Sequence, residues 1–462
     1  MTFKRWFALL ATFGLGSAAH ADQLRYLPHG EDALTAIYQS ITDAKKTIDL
    51  TYFIYEPCHT STRVITDLLL EKAKSGIKVR VLLDSFLHTN EIHEQIALEM
   101  QSAGIEFRSY NKTYKYSLMA NHRSHVKLLL VDGREYITGG RNIGDDYFSL
   151  SSGVNFIDRD VWVRGASASQ ARAGFEMLWK SSLSSKVRIT NVGKKSWSSL
   201  CSEKSKVSAK EKMKLRSFVR SKAQKTLAKL PVRECAKVQF IIDDPRFMSV
   251  LTSEPRNETG YTPYMNSDRL RHKAATREFV RFLNRTTSRL EVENWSYIPT
   301  EDMRTAFQNL RAKKIKVEVV TNGSAAAGGF IDPGFDHILA QSSAADNQGS
   351  QVVLQMPRSG LMTDRHALTP KSAEFKLHGK VAIRDRNTSL VGSFNIDPRS
   401  YHTNLESFVI VDNCSAFATD IRAPITGLKH TYIEAQKNPN TINSQSPAQI
   451  HRVLGWLMYN FL

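Results

Sequence analysis

The chain has 462 residues, 41% of them apolar and 23% charged, which is enough to bury a large core and normally divides into more than one folding unit. These fractions exclude a disordered or fibrous chain. The net charge of +18 points to an anionic partner, lipid headgroups or nucleic acid, and carries no information on fold.

Residues 1–21 read as an export signal. Lys4 and Arg5 form a basic start, Trp6 to Gly16 a short apolar run, and Ala19-His20-Ala21 a small-x-small cleavage site that would leave Asp22 first in the mature chain. The run falls short of the ~20 residues of a spanning helix, which favours cleavage over an uncleaved anchor. The expected location is therefore periplasmic or secreted. Cys58, Cys201, Cys235 and Cys414 contain no Cys-x-x-Cys pair, so a zinc site is not expected. Four cysteines in an exported chain allow three connectivities of two disulfides. Cys201 with Cys235 is the expected pair because both flank one basic segment; four free thiols are the alternative.

The chain repeats itself. Thr47 to Pro57 alternates as a strand, Ser61 to Ser75 is helical, and Ile77 to Asp84 is an apolar strand. Leu290 to Thr300 alternates in the same way, a helical stretch follows, and Ile315 to Asn322 closes a second unit, 238 residues after the first. Strand, helix and strand make a βαβ unit with a parallel pair, and two such units predict two similar α/β halves, residues 22–190 and 238–440. Between them, the insert 191–237 differs in composition. Lys194 to Lys237 holds 14 Lys or Arg against three Glu, +11 of the total. Ser208 to Leu230 reads as a basic helix with apolar positions at Met213, Leu215, Phe218, Val219, Leu227 and Leu230. It is either a solvated face or a surface for anionic membrane or nucleic acid. The Gly-rich stretch Asn322 to Gly334 lacks a Lys-Ser/Thr ending and reads as a loop. The tail 441–462 is apolar and aromatic from Ile450 onward. It is suited to a membrane interface or to packing on the protein itself.

Each half carries one copy of a motif. His125-Val-Lys127 is followed by Asp132 and by Gly139-Gly140-Arg141-Asn142. His378-Gly-Lys380 is followed by Asp385 and by Gly392-Ser393-Phe394-Asn395. In both, Lys is two, Asp seven and Asn seventeen residues after His. Residues two apart on a strand share a face, so each His and its Lys look into one pocket. Two halves brought together give two His, two Lys and two Asn around one phosphate. One imidazole can attack phosphorus, the other can protonate the departing alcohol, and the Lys and Asn donors can hold the non-bridging oxygens. This chemistry asks for no metal or other cofactor. Asp160 and Glu406, each opening an apolar strand, are expected to orient the imidazole of their own half. Asp132 and Asp385, just past strand ends, are expected to hold structure.

These motifs resemble the paired His-x-Lys-x4-Asp signature of the phospholipase D superfamily, over nearly the whole mature chain. Gly139 to Phe148, Phe156-x-Asp-x-Asp160, Asp243-Asp244-Pro245 and Gly392 to Ser400 are most similar to the bacterial cardiolipin synthase C-like branch. The resemblance implies two α/β halves, each a mixed sheet flanked by helices, sharing one central site. It also implies His125 as nucleophile, His378 as general acid/base, and a supporting place for Ser393. Val126 and Gly140 depart from the usual small polar residue and Ser.

The expected function is a phospholipid phosphodiesterase, hydrolysing a phosphatidyl ester or transferring the phosphatidyl group to an alcohol, at a phospholipid membrane surface and as a monomer. The alternative is an exported nuclease of the same superfamily, with nucleic acid as substrate. A binding module with a dead site is disfavoured by the intact His, Lys and Asn of both halves.

Overall fold

A computed structural model of the chain describes residues 21–86, 89–112, 122–190, 200–201, 207–247, 267–323, 332–356 and 364–434. The signal segment, apart from Ala21, and the tail lie outside the described residues. No helix among the described residues is long and apolar enough to cross a membrane.

The first half contributes strands β1 (Asp22–Leu27), β2 (Thr47–Tyr52), β3 (Lys78–Asp84), β4 (Glu106–Tyr110), β5 (Leu128–Val131), β6 (Glu135–Gly139), β7 (Val154–Ile157), β8 (Asp160–Arg164), β9 (Ser184–Lys186) and β10 (Arg233–Cys235). The second contributes β11 (Lys237–Ile242), β12 (Arg289–Asn294), β13 (Lys316–Asn322), β14 (Gln351–Met356), β15 (Glu374–Leu377), β16 (Lys380–Arg384), β17 (Thr388–Gly392), β18 (Ser407–Asp412) and β19 (Ile433–Glu434). Two mixed sheets result. One is ordered β10-β1-β8-β6-β5-β2-β3-β4-β9 and the other β11-β18-β17-β16-β12-β13-β14-β19. Without β10 the two orders correspond strand for strand. In both sheets the βαβ unit read from the sequence supplies one parallel pair, β2 with β3 and β12 with β13, and the next strand adds a second, β3 with β4 and β13 with β14. The fold is thus two similar α/β halves. Arg233–Cys235, assigned to the insert from composition, is instead the edge strand of the first sheet, paired with β1.

Helices α1 (Gly30–Asp43), α2 (Thr60–Lys74), α3 (Asn90–Ser102) and α4 (Ala168–Lys180) flank the first sheet. α2 buries Val64, Ile65, Leu68 and Leu69 on one side, the spacing of an amphipathic helix. Its amino end is capped from a distance, since the Asp145 carboxylate accepts from the Thr60 and Ser61 amides at 3.0 and 2.8 Å. It ends at Gly76, whose φ of +88° suits a residue without Cβ. One apolar cluster joins the two halves, with Leu128, Leu130, Tyr136 and Phe175 meeting Val381, Ile383, Val409 and Phe417. The sheets therefore stack on a shared core, and β7 pairs in parallel with β15 across the junction.

The basic segment folds as α5 (Ala209–Phe218) with a capping box between Ser208 and Glu211. Leu215, Phe218, Val219 and Leu227 are buried against the first half, whereas Met213 is 67% exposed, contrary to its expected place on the apolar side. Lys212 pairs with Asp67 at 2.8 Å and Arg216 with Glu71 at 2.8 Å, so part of the charge is spent on α2; Lys210, Lys214, Lys225 and Lys229 stay exposed. The disulfides also differ from expectation. Cys58 joins Cys201 and Cys235 joins Cys414, with Cα separations of 5.6 and 5.8 Å. The two cysteines flanking the basic segment point to different places. Cys201 reaches the loop before α2, while Cys235 faces the helix Ser415–Leu428. In the Gly-rich stretch, Asp332–Gly334 already opens the helix Asp332–Asp346.

Candidate active site

Each catalytic strand begins by docking on the other half. His125 N donates to Leu405 O at 2.9 Å and Leu405 N to Arg123 O at 2.7 Å. His378 N and Gly379 N donate to Ile157 O at 2.7 and 3.1 Å. Leu405 and Ile157 immediately precede Glu406 and Asp158, so each backbone dock delivers a carboxylate to the opposite imidazole. The Nδ1 of His125 lies 3.0 Å from Glu406 Oε2. The Nδ1 of His378 hydrogen-bonds Asp158. A carboxylate at Nδ1 fixes the tautomer and leaves Nε2 for chemistry.

This corrects the expected orienters. Glu406 serves the imidazole of the first half, not its own. Asp158, not Asp160, serves His378. Gly139 is paired with Asp160 and Gly392 with Phe408, so Asp158 is the register equivalent of Glu406. Asp160 instead forms a buried ion pair with Arg141, Nη1 to Oδ2 at 3.2 Å. Asp158 and Asp160 have the same strand parity, and only the register separates them.

The surroundings of the two acids explain Gly140 and Ser393, which stand at equivalent positions. Ser393 Oγ donates to Glu406 at Oε2; Ser400 Oγ and Asn404 Nδ2 donate to Oε1 at 2.7 and 3.3 Å. A Cβ at Gly140 would lie 2.1 Å from Asp158 Oδ1, so the shorter acid occupies the space that a serine would need. Likewise a Cβ at Gly379 would lie 2.1 Å from Glu293 Oε1. Glu293 forms a bidentate ion pair with Arg159 across the halves, at 2.7 and 3.0 Å.

Lys127 Nζ donates to His125 O at 2.9 Å, and Lys380 Nζ donates to His378 O. The charges of both lysines act on both imidazoles, so the halves share one site. Burial and then the lysine charges push His125 well below an ordinary histidine, and His378 down to about 3. Burial also lowers Lys127, and brings Lys380 to about 8. Burial alone would raise Asp158, but the charges of His378 and Lys380 overcome it and hold the acid near 2. Aromatic walls complete the pocket. Phe53 packs on His125 with centroids 5.1 Å apart, and its counterpart Trp295 on His378 at 5.1 Å, with Phe156 at 5.1 Å and Tyr147 at 5.4 Å.

The two asparagines are not alike. Asn142 is buried and fully engaged, its Oδ1 accepting from Ile54 N at 3.1 Å and its Nδ2 donating to Tyr147 Oη at 2.8 Å. Asn395 Oδ1 has no hydrogen-bond partner among the described residues. Asp132 accepts from the Lys45, Lys46 and Thr47 amides, and Asp385 from the Thr287, Ser288 and Arg289 amides, which ties hairpins to the strands beside them. Among the described residues no group of three or more His, Cys, Asp or Glu has the arrangement of a metal site. The sequence reading missed Asp158, Phe53, Trp295, Tyr147 and Ser400. Matching the repeat position by position would have found Phe53 and Trp295, each immediately after the strand, β2 or β12, that pairs with β5 or β16 of its own half.

Two stacked α/β halves with a His and a Lys from each around one cleft define a two-lobed enzyme with a composite site. The family model described as "Cardiolipin synthase, PLD-like domain" matches residues 37–179 and 279–425, one copy per half. The chain therefore belongs to the phospholipase D-like family, and it is an enzyme of the phospholipase D type. It is 29% identical over 418 residues to an uncharacterized protein of Helicobacter pylori, covering 86% of this chain and 77% of that one. It is 24% identical over 405 residues to cardiolipin synthase C of Escherichia coli, covering 83% and 80%. It is also similar in fold to a crystal structure of phosphatidylserine synthase from Haemophilus influenzae, with a TM-score of 0.64, 13% identity and 95% of each chain covered.

Proposed function

We propose that this enzyme cleaves phospholipid phosphodiesters and transfers the phosphatidyl group to an alcohol or to water, in the manner of a cardiolipin synthase. The observation that carries this reading is the pair of crossed imidazole–carboxylate bonds, each of which engages Nδ1 and so assigns Nε2 to the reacting phosphorus or oxygen. The similarity to cardiolipin synthase C along most of both chains supports the lipid class.

In the proposed mechanism, His125 Nε2 attacks phosphorus. The bond to the headgroup oxygen breaks, and protonated His378 gives that oxygen its proton. The product is a phosphatidyl-histidine and a free alcohol. His378 then takes a proton from the incoming water or alcohol, whose oxygen displaces His125 and restores both imidazoles. Lys127 and Lys380 neutralise the charge on the phosphoryl oxygens. The imidazoles are held neutral largely by burial and the two lysines. An arriving phosphodiester anion offsets the lysine charge and lets His378 accept the proton that it must donate. The exposed lysines of the basic segment support peripheral association with an anionic membrane after export.

The test is incubation of the mature chain, with His125→Ala beside it, on vesicles of phosphatidylglycerol and phosphatidylethanolamine. Products are resolved by mass spectrometry, with plasmid DNA as a parallel substrate. The expected result is cardiolipin or phosphatidic acid from the intact chain alone. Cut DNA with untouched lipid would overturn the reading and make the enzyme a nuclease.

A further inference from the structure

Position 399 breaks the near two-fold symmetry of the site. Arg399 stands 21 residues after His378, whereas the residue 21 after His125 is Asp146, which has His59 4.0 Å away. Arg399 opens the turn Arg399–Thr403. Its neighbour Ser400 binds Glu406 at 2.7 Å, and Glu406 holds His125. The turn thus places Arg399 at the His125 end of the cleft, near enough for its charge to act on His125.

The three large buried arginines around the site are all paired: Arg123 with Asp84, Arg141 with Asp160 and Arg159 with Glu293. Arg399 is the exception. It is half-buried, its Nε is shielded from solvent, and its guanidinium has no hydrogen bond or ion pair among the described residues. The nearest acid in sequence, Asp397, is already engaged by Ser400 N at 2.9 Å and Ser296 Oγ at 3.0 Å. Four residues before Arg399, Asn395 Oδ1 is likewise buried, with no hydrogen-bond partner among the described residues. Partly desolvating a guanidinium without an acceptor is costly, and a ligand anion would relieve that cost.

We propose that Arg399 binds the phosphodiester anion of the substrate as a third cation beside Lys127 and Lys380, offset toward His125. This rests on the phosphodiester chemistry proposed above. The planar guanidinium can grip two oxygens at once, whereas each lysine offers a point charge. The acid at the equivalent position of the other half makes the site one-sided, so the anion lies off the two-fold axis.

The experiment compares the full mature chain with Arg399→Gln, Arg399→Lys and, as a surface control, Arg246→Gln. Inorganic phosphate is titrated calorimetrically, and KM is measured on phosphatidylglycerol vesicles and on a soluble phosphodiester. The expected result for Arg399→Gln is phosphate affinity weakened at least tenfold and a comparable rise in vesicle KM, with Arg399→Lys in between and Arg246→Gln unchanged. Weakened phosphate binding with a KM shift only on the soluble phosphodiester would keep the anion site and assign it to soluble substrates. Phosphate affinity within twofold of the intact chain would overturn the proposal, even if the melting temperature fell, because a purely structural role does not act on the anion. If phosphate binding depends on Arg399 but no lipid product forms, the lipid reading fails and the anion site stands. If lipid product forms and Arg399→Gln binds phosphate normally, the reverse holds.

Discussion

His125, in the first half, has its Nδ1 3.0 Å from a carboxylate of the second half, Glu406, 281 residues away. Asp158 makes the reciprocal contact with His378. Neither half alone orients its own histidine, so the site exists only where the sheets stack. Glu406→Gln and Asp158→Asn should each lower kcat by roughly a hundredfold to ten-thousandfold, as expected when the acid behind a catalytic imidazole is neutralised. Steady-state kinetics with a melting curve on each variant checks this, and a loss under tenfold would refute the orienting role.

Asp160→Asn separates structure from catalysis. Asp160 and Arg141 are both buried, and removing one charge strands the other, at a cost of about 3 kcal/mol. The expected outcome is a clear fall in denaturation midpoint with kcat reduced far less than in Asp158→Asn. Equal kinetic losses in the two variants would show that both acids act on the imidazole.

Gly140→Ser, which would restore the sequence symmetry, should be harmful. Its Cβ would press on Asp158 Oδ1 at 2.1 Å and displace the acid from His378. We expect at least a hundredfold loss of kcat. Ser393→Gly removes only one of several donors to Glu406, and about tenfold is expected from a lost charge-assisted hydrogen bond. Measuring the pair side by side decides whether the asymmetry is functional.

Activity and stability should respond to pH at different places. Lys380 is lowered to about 8, so its cation is lost above that point and kcat/KM should fall on the alkaline side. Stability should fall on the acid side. His378 is lowered from 6.5 to about 3 in the folded chain, so the unfolded chain binds more protons between those values. Asp158, lowered from 3.8 to about 2, adds to the loss further down. Unfolding midpoints measured from pH 8 to pH 3 should therefore drop below about pH 6.5, and replacing His378 with Gln should flatten the upper part of that slope. A flat profile would contradict the buried neutral imidazole.

Non-reducing peptide maps should yield Cys58 with Cys201 and Cys235 with Cys414. Opening the second link by Cys235→Ser with Cys414→Ser should cost about 2–4 kcal/mol, read as a lower denaturation midpoint. A map showing Cys201 with Cys235 would overturn the connectivity.

The sequence by itself determined the two α/β halves and the pairing of His125 with Lys127 and His378 with Lys380. Strand alternation, βαβ order and spacing from each histidine are local, and they repeat in both halves. The position of Asp132 and Asp385 just past strand ends pointed to a structural role, but the partners they hold, the amides of Lys46 and Ser288, lie far away in sequence and only the fold brings them close. Tertiary structure decided which acid meets which imidazole, which cysteines join, and that Asn142 spends its amide on Ile54 and Tyr147. Those contacts depend on how two sheets stack and on the register between strands. Local periodicity is identical for Asp158 and Asp160, so only the packed core that brings Ile157 to His378 and Leu405 to His125 could tell the two acids apart.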